Sequence, residues 1–121
     1  MDSKQLILVV DDERAILDVI ELTLSNEGYD TYCTVDPCEA LHYVATHEVA
    51  LLLTDVTMPG MSGLDLVDQA SAHKPQLKIL VMTGYSYAAI NRPVLHKPFR
   101  LADLVTRIHG LITEPPNLSG H

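Results

Sequence analysis

Five consecutive apolar positions, Leu6-Ile7-Leu8-Val9-Val10, open the ordered pattern of the chain and are stopped by two aspartates. Similar runs recur at Val49-Ala50-Leu51-Leu52-Leu53 and at Leu77-Lys78-Ile79-Leu80-Val81-Met82. A short segment that is apolar at nearly every position suits a parallel strand covered by helices on both faces. Thr31-Tyr32-Cys33-Thr34-Val35 and Val94-Leu95-His96 are weaker and predict outer strands. Between these runs the period lengthens to that of a helix. Over 14–26, Ala15, Ile16, Val19, Ile20, Thr23 and Leu24 share one face, and Gly28 supplies a left-handed stop. Asp36-Pro37-Cys38-Glu39 reads as a helix start: a capping aspartate, proline at the first helical position, and a carboxylate three residues after the cap. Ser62-Gly63-Leu64-Asp65 predicts another cap, with Leu64 and Val67 on a common face. The clearest helical stripe is the last: Leu101, Leu104, Val105, Ile108, Leu111 and Ile112.

Strand and helix therefore alternate, which predicts an α/β fold with one parallel sheet wrapped by helices on both faces. No repeat or low-complexity tract interrupts the order. We expect a single domain over 1–121 with its core in 5–112, followed by a flexible tail or linker stub over 113–121, where Pro115-Pro116 and Gly120 stand.

Composition narrows the function classes. The 121 residues carry 16 acidic and 8 basic side chains, a formal net charge of −8. That balance argues against a nucleic-acid groove or a surface for anionic membranes. No basic stretch followed by a long apolar region leads the chain, and no apolar run approaches the ~20 residues that span a bilayer. Two cysteines, Cys33 and Cys38, can build neither a disulfide scaffold nor a four-ligand metal site. We expect one on a strand and the other early in a helix. No two of the six histidines have the i, i+4 spacing of a zinc site. A cytoplasmic protein is expected.

In an open parallel sheet, ligands bind beyond the carboxyl ends of the strands. The first predicted strand ends in Asp11-Asp12-Glu13, the third in Asp55, the fourth in Thr83-Gly84 and the fifth in Lys97-Pro98. Each has an ordinary explanation alone, such as a helix cap, a strand-end hydroxyl or a solvated lysine. Their convergence on one rim would be a coincidence under those explanations. Carboxylates held close together resist joint ionisation, and a hard cation such as Mg²⁺ relieves the repulsion. A carboxylate so placed can also be a nucleophile toward phosphorus. A lysine ammonium and a hydroxyl would stabilise the charge on the transferring oxygens.

Val9-Val10-Asp11-Asp12-Glu13, Leu53-Thr54-Asp55-Val56-Thr57-Met58-Pro59-Gly60-Met61-Ser62-Gly63, Val81-Met82-Thr83-Gly84 and His96-Lys97-Pro98-Phe99 together resemble the receiver domain of bacterial two-component response regulators. The resemblance spans residues 5 to 112. It implies a doubly wound, flavodoxin-like (βα)5 fold with a five-stranded parallel sheet in the order 2-1-3-4-5. It further implies that Asp55 accepts a phosphoryl group from a phosphohistidine, and that Mg²⁺ is held by Asp12, Asp55, the backbone carbonyl of Thr57 and Asp11, the last often through water. Lys97 would pair with Asp55 and then with the phosphoryl oxygens, which the Thr83 hydroxyl would also contact. Pro59 and Gly63 would shape the loop after the acceptor, and Pro98 stands where the family usually has a cis bond. The implied partners are a sensor histidine kinase or a histidine phosphotransfer protein, and a protein target of unknown identity. The chain itself would be a monomer or a weak homodimer, and not a turnover enzyme.

The sequence departs from the family pattern in two places. Only 13 residues separate Thr83 from Lys97, and Pro93 forces an exit, so a shortened fourth helix is expected over 85–93. Val94 stands where many receivers carry an aromatic ring that turns inward on activation; Tyr85 or Tyr87 could substitute. Thr57 and Tyr85 occupy positions that tune phosphoryl lifetime in the family, and their identities predict slow to moderate self-dephosphorylation. Three other functions suit the sequence less well. A receiver-like scaffold that binds partners without phosphorylation would keep the fold and lose the chemistry. An aspartyl-phosphate phosphohydrolase usually needs an acid two residues after the nucleophile, where Thr57 stands. A flavin carrier needs a phosphate loop where this chain has an acidic one.

Overall fold

A computed structural model describes residues 4–84 and 90–114. Its described elements alternate as β1 (Leu6–Val10), α1 (Arg14–Asn26), β2 (Asp30–Thr34), α2 (Pro37–Thr46), β3 (Leu51–Asp55), α3 (Gly63–His73), β4 (Lys78–Thr83), β5 (Val94–His96) and α4 (Leu101–Thr113). All neighbouring strands pair in parallel, in the order β2-β1-β3-β4-β5. The chain thus forms the parallel sheet that the alternating pattern predicts, in the flavodoxin-like doubly wound order that the resemblance implies, with four helices among the described residues. Most of the shortened helix expected over 85–93 lies outside them, and 90–93 carry no helix. Tyr85 and Tyr87, and the tail beyond Glu114, also lie outside.

The sheet separates two apolar cores, and strand alternation assigns residues to each. On one face Ile7, Val9, Leu51, Leu53, Leu80, Met82 and Leu95 pack against Leu17, Ile20 and Leu24 of α1 and Leu104 and Ile108 of α4. On the other, Leu8, Val10, Leu52, Ile79 and Val81 meet Ala40 and Val44 of α2 and Leu66, Val67 and Ala70 of α3. All five residues of β3 are buried. This burial on both sides is what makes β1, β3 and β4 read as apolar at nearly every position.

Two faces are rotated from their sequence expectation. In α1 the core takes Leu17, Ile20 and Leu24, whereas Ala15 is exposed and Val19 is 49% exposed. The apolar stripe of this helix is wider than the sheet can cover, so part of it faces solvent. In α3 the buried set is Leu66, Val67 and Ala70, with Leu64 only half-buried.

The helix ends follow their local chemistry. Gly28 adopts φ 91°, and the N–H groups of Gly28 and Tyr29 donate to Ser25 and Leu24 at the end of α1. Asp36 caps α2 by accepting from the Cys38 N–H at 2.9 Å. Glu39 does not reach back to the cap. It accepts instead from the hydroxyls of Thr34 and Tyr32, and Thr34 Oγ1 in turn accepts the Asp36 N–H at 3.0 Å. Those two hydroxyl donors hold the Glu39 carboxyl below its usual range. The capping box is therefore relayed through β2, tying the strand to the helix that follows. Cys33 lies in β2 and Cys38 in α2, and both thiols are free. No helix among the described residues is long and apolar enough to cross a membrane.

Candidate functional site

Parallel strands deliver their last residues to one edge, and here that edge gathers the charged groups. Asp11 follows β1 directly, its N–H donating to the Thr34 carbonyl at 3.3 Å and so extending the strand pairing by one residue. Asp11 Oδ1 accepts the Glu13 N–H at 2.9 Å, which turns the chain into α1. Glu13 itself occupies the N-cap position without a side-chain cap. The acidic run is therefore not spent on capping α1. Asp55 ends β3, where the sequence placed it, because Thr54 and Asp55 continue the strand beyond the apolar run.

Asp11, Asp12 and Asp55 each present a carboxylate oxygen, all within 4.8 Å of one another. Among the described residues this is the one such cluster of acids, cysteines or histidines. Asp11 is fully buried, Asp55 is 8% exposed, and Asp12 faces solvent. The Lys97 ammonium sits between the inner two, 3.2 Å from Asp11 and 3.4 Å from Asp55. It arrives there from the end of β5, where the Lys97 N–H donates to the Thr83 carbonyl at 2.8 Å and a cis peptide bond joins Lys97 to Pro98. Thr83 ends β4 and is 1% exposed. Thr57 lies exposed in the loop two residues beyond Asp55.

The electrostatics follow from burial and crowding. Burial raises the Asp55 carboxyl above its ordinary value, Lys97 opposes the shift, and Asp11 and Asp12 add to it. Burial works to lower the Lys97 ammonium, but the two adjoining carboxylates prevail and leave it above the ordinary lysine value. The cluster holds more negative charge than one ammonium can offset. Three hard oxygen donors with an open, exposed member suit a small divalent cation that keeps several of its waters.

The loop from β3 to α3 fixes the backbone of Asp55. Gly60 carries the positive φ of this turn, 80°. Gly63 shapes this loop through its missing side chain rather than through a positive φ. A Cβ at Gly63 would lie 1.9 Å from the Asp55 carbonyl oxygen and 2.9 Å from Val56 Cα, so the first residue of α3 must lack a side chain to pack there. The Gly63 N–H donates to the Val56 carbonyl at 2.8 Å, and Ser62 caps the helix by accepting from the Asp65 N–H at 3.1 Å.

Beside the acidic cluster, and sharing Lys97 with it, runs an apolar groove of about 570 Å³ lined by Ala15, Ile16, Val19, Ile20, Pro98, Phe99 and Leu101. The helical stripe expected of α1 contains the first four of these residues; Ile20 enters the core, whereas Ala15 and Val19 face solvent. Val94, the second departure from the family pattern, is half-buried at the start of β5, and its carbonyl accepts from Arg107 at 3.0 Å.

A doubly wound sheet with clustered carboxylates and a lysine at its carboxyl edge defines a class of aspartate-centred switches. The chain belongs to the response regulator receiver domain family, whose model matches residues 7–109. Among solved structures it is similar to a CheY-like response regulator receiver domain protein from Methanospirillum hungatei, with 28% identity and a TM-score of 0.85 over 91% of this chain and 94% of that one. It is also similar to the response regulator TrrA from Thermotoga maritima, solved with Mg²⁺ and beryllofluoride, at 29% identity and a TM-score of 0.81 over 88% of this chain and 98% of that one. The receiver domain of the hybrid histidine kinase CckA matches at 28% identity and a TM-score of 0.80, covering 89% and 99%. Receiver domains are signalling switches rather than turnover enzymes, and the acidic pocket here is consistent with a Mg²⁺ site.

Proposed function

We propose that Asp55 accepts a phosphoryl group from a phosphohistidine on a partner protein, and that a second partner reads the resulting conformational change. The observation that carries this reading is the Lys97 ammonium held between Asp11 and Asp55 within the three-carboxylate cluster. The donor is a sensor histidine kinase or a histidine phosphotransfer protein acting in the cytoplasm.

In the transfer, an Asp55 carboxylate oxygen attacks phosphorus. The P–N bond of the donor breaks as the P–O bond forms, and the imidazole leaves with the electron pair of that bond. Asp11, Asp12, Asp55 and the Thr57 carbonyl would hold Mg²⁺, which when bound supplies positive charge opposite the phosphoryl oxygens. Lys97 neutralises the Asp55 carboxylate before transfer and would follow the charge onto the phosphoryl oxygens afterwards. Thr83 would donate its hydroxyl to one of those oxygens. Its place at the end of β4, next to β5, supports that role. The apolar groove between α1 and the Lys97–Leu101 segment adjoins the same ammonium, and its position supports docking of the donor there.

Intact mass after incubation with Mg²⁺ and a small acyl-phosphate donor tests the acceptor directly. The expected result is the gain of one phosphoryl group, lost with chelator and lost in Asp55→Asn. No gain in any sample, together with no binding of Mg²⁺ and beryllofluoride, would favour the scaffold and overturn this reading.

A further inference from the structure

The face of β3 that meets α2 and α3 is apolar apart from one residue. Thr54 is fully buried there, between Leu52 and Val56 along the chain and paired with Val10 of β1 and Val81 of β4 across the sheet. A hydroxyl in such surroundings is costly unless it is bonded, and valine would fill the same space without that requirement. Its partner is specific: the Thr54 hydroxyl donates to the Asp55 carbonyl oxygen at 3.0 Å. The same oxygen is the atom against which Gly63 packs without a side chain. One peptide group, that joining Asp55 to Val56, is thus held from the strand by a hydrogen bond and from α3 by close contact.

We propose that Thr54 is a positioning residue for the acceptor, its hydroxyl fixing the Asp55–Val56 peptide plane and so the direction in which the Asp55 carboxylate leaves the sheet. The two side chains project from opposite faces of β3, so Thr54 acts on the site through the backbone rather than by touching it. Groups that orient a metal-binding or reacting carboxylate have effects far larger than their contact area indicates. The proposal rests on the reading of Asp55 as acceptor and metal ligand.

The test compares the parent with Thr54→Val and Thr54→Ser by calorimetric titration with Mg²⁺, by phosphoryl uptake from a small acyl phosphate, and by thermal melting. Thr54→Val keeps the shape and loses the hydroxyl. It should melt within a few degrees of the parent yet bind Mg²⁺ about tenfold more weakly, with uptake slowed by a similar factor. Thr54→Ser keeps the hydroxyl and loses a buried methyl, so it should melt lower yet restore both affinity and rate. Parent-like Mg²⁺ affinity in Thr54→Val would overturn the proposal, as would a serine variant as impaired as the valine one. If Thr54→Val does not fold, the serine variant decides: parent-like affinity despite a lower melting temperature supports the proposal, and weakened affinity overturns it. A parent that binds Mg²⁺ but takes up no phosphoryl group would overturn the acceptor reading alone, leaving the titration to decide on Thr54. A parent that binds no Mg²⁺ would overturn both.

Discussion

Asp55 is held where a carboxylate is costly. Its carboxyl is raised above the ordinary value, first by burial, then by Asp11 and Asp12 against the pull of Lys97. The sign of the linkage follows. A raised folded value means that the favourable contribution is present while the group is protonated and is lost as pH rises through that value. Above the usual carboxylate range, the ionised side chain therefore works against the fold. Asp55→Asn should raise the melting temperature at pH 7 by about 3 °C, equivalent to roughly 1 kcal/mol for a chain of this size. Melts repeated well below the usual carboxylate range, where parent and variant are both neutral at this position, should show no gain. A variant that melts lower at pH 7 would mean that the Lys97 contact outweighs the crowding. Mg²⁺ should narrow the neutral-pH difference by stabilising the parent through its carboxylates.

At the scale of elements, α3 is set by a missing side chain. Gly63 lets the first turn of the helix close on the Asp55 carbonyl, with 1.9 Å where a Cβ would stand. The obstruction is backbone, which cannot swing aside as a flexible side chain would. Gly63→Ala should cost about 3 kcal/mol, the upper part of the range for overpacking, and should displace the loop that carries Thr57. Denaturant unfolding measures the first effect and Mg²⁺ titration the second. By contrast, Gly60→Ala, where no atom lies within 4 Å and only φ is at stake, should cost about 1 kcal/mol.

The same element shows what a sequence can and cannot disclose. The strand β1 and the bounds of α1 could be read from an apolar run and from Gly28, because two-sided burial and a left-handed stop leave a local mark. Asp11, Asp12, Asp55, Thr83 and Lys97 could be placed at one edge because parallel strands share a direction. The rotation of α1 could not be read. Its apolar positions outnumber those the sheet covers, and only packing decides that Leu17 enters while Val19 stays out. Nor does a glycine announce whether it is needed for its φ or for lack of a Cβ. Gly60 and Gly63, three residues apart, serve one purpose each.

For the whole molecule, the sheet divides labour between its faces. Asp11 and Asp55 share the parity of the core residues that meet α1 and α4, and the open groove lies on that side. The carboxylate cluster and the groove proposed for docking are thus adjacent, while α2 and α3 close the other face. Adjacency predicts that docking can be damaged without damaging the acceptor. Val19→Glu puts a charge on an exposed position of the groove that touches none of the carboxylates. Transfer from a phosphorylated histidine kinase, chosen as the fastest donor in a panel, should slow by about tenfold or more, as expected when a charge is desolvated in an apolar contact. Uptake from a small acyl phosphate should stay at the parent rate. Equal slowing with both donors would place the effect in the site itself, and no slowing with either would remove α1 from the docking surface.

Gly63 has one more consequence, and it is spectroscopic. Its amide donates to the Val56 carbonyl while its α-carbon rests on the Asp55 peptide, so the nucleus that reports this hydrogen bond sits against the backbone of Asp55, the proposed acceptor. The chain holds six glycines, and glycine amides resonate apart from most others in a nitrogen–proton correlation spectrum. The Gly63 cross-peak is therefore a built-in reporter of the site. It needs no tag, and it can follow ion binding and acceptor loading as separate shifts of one signal.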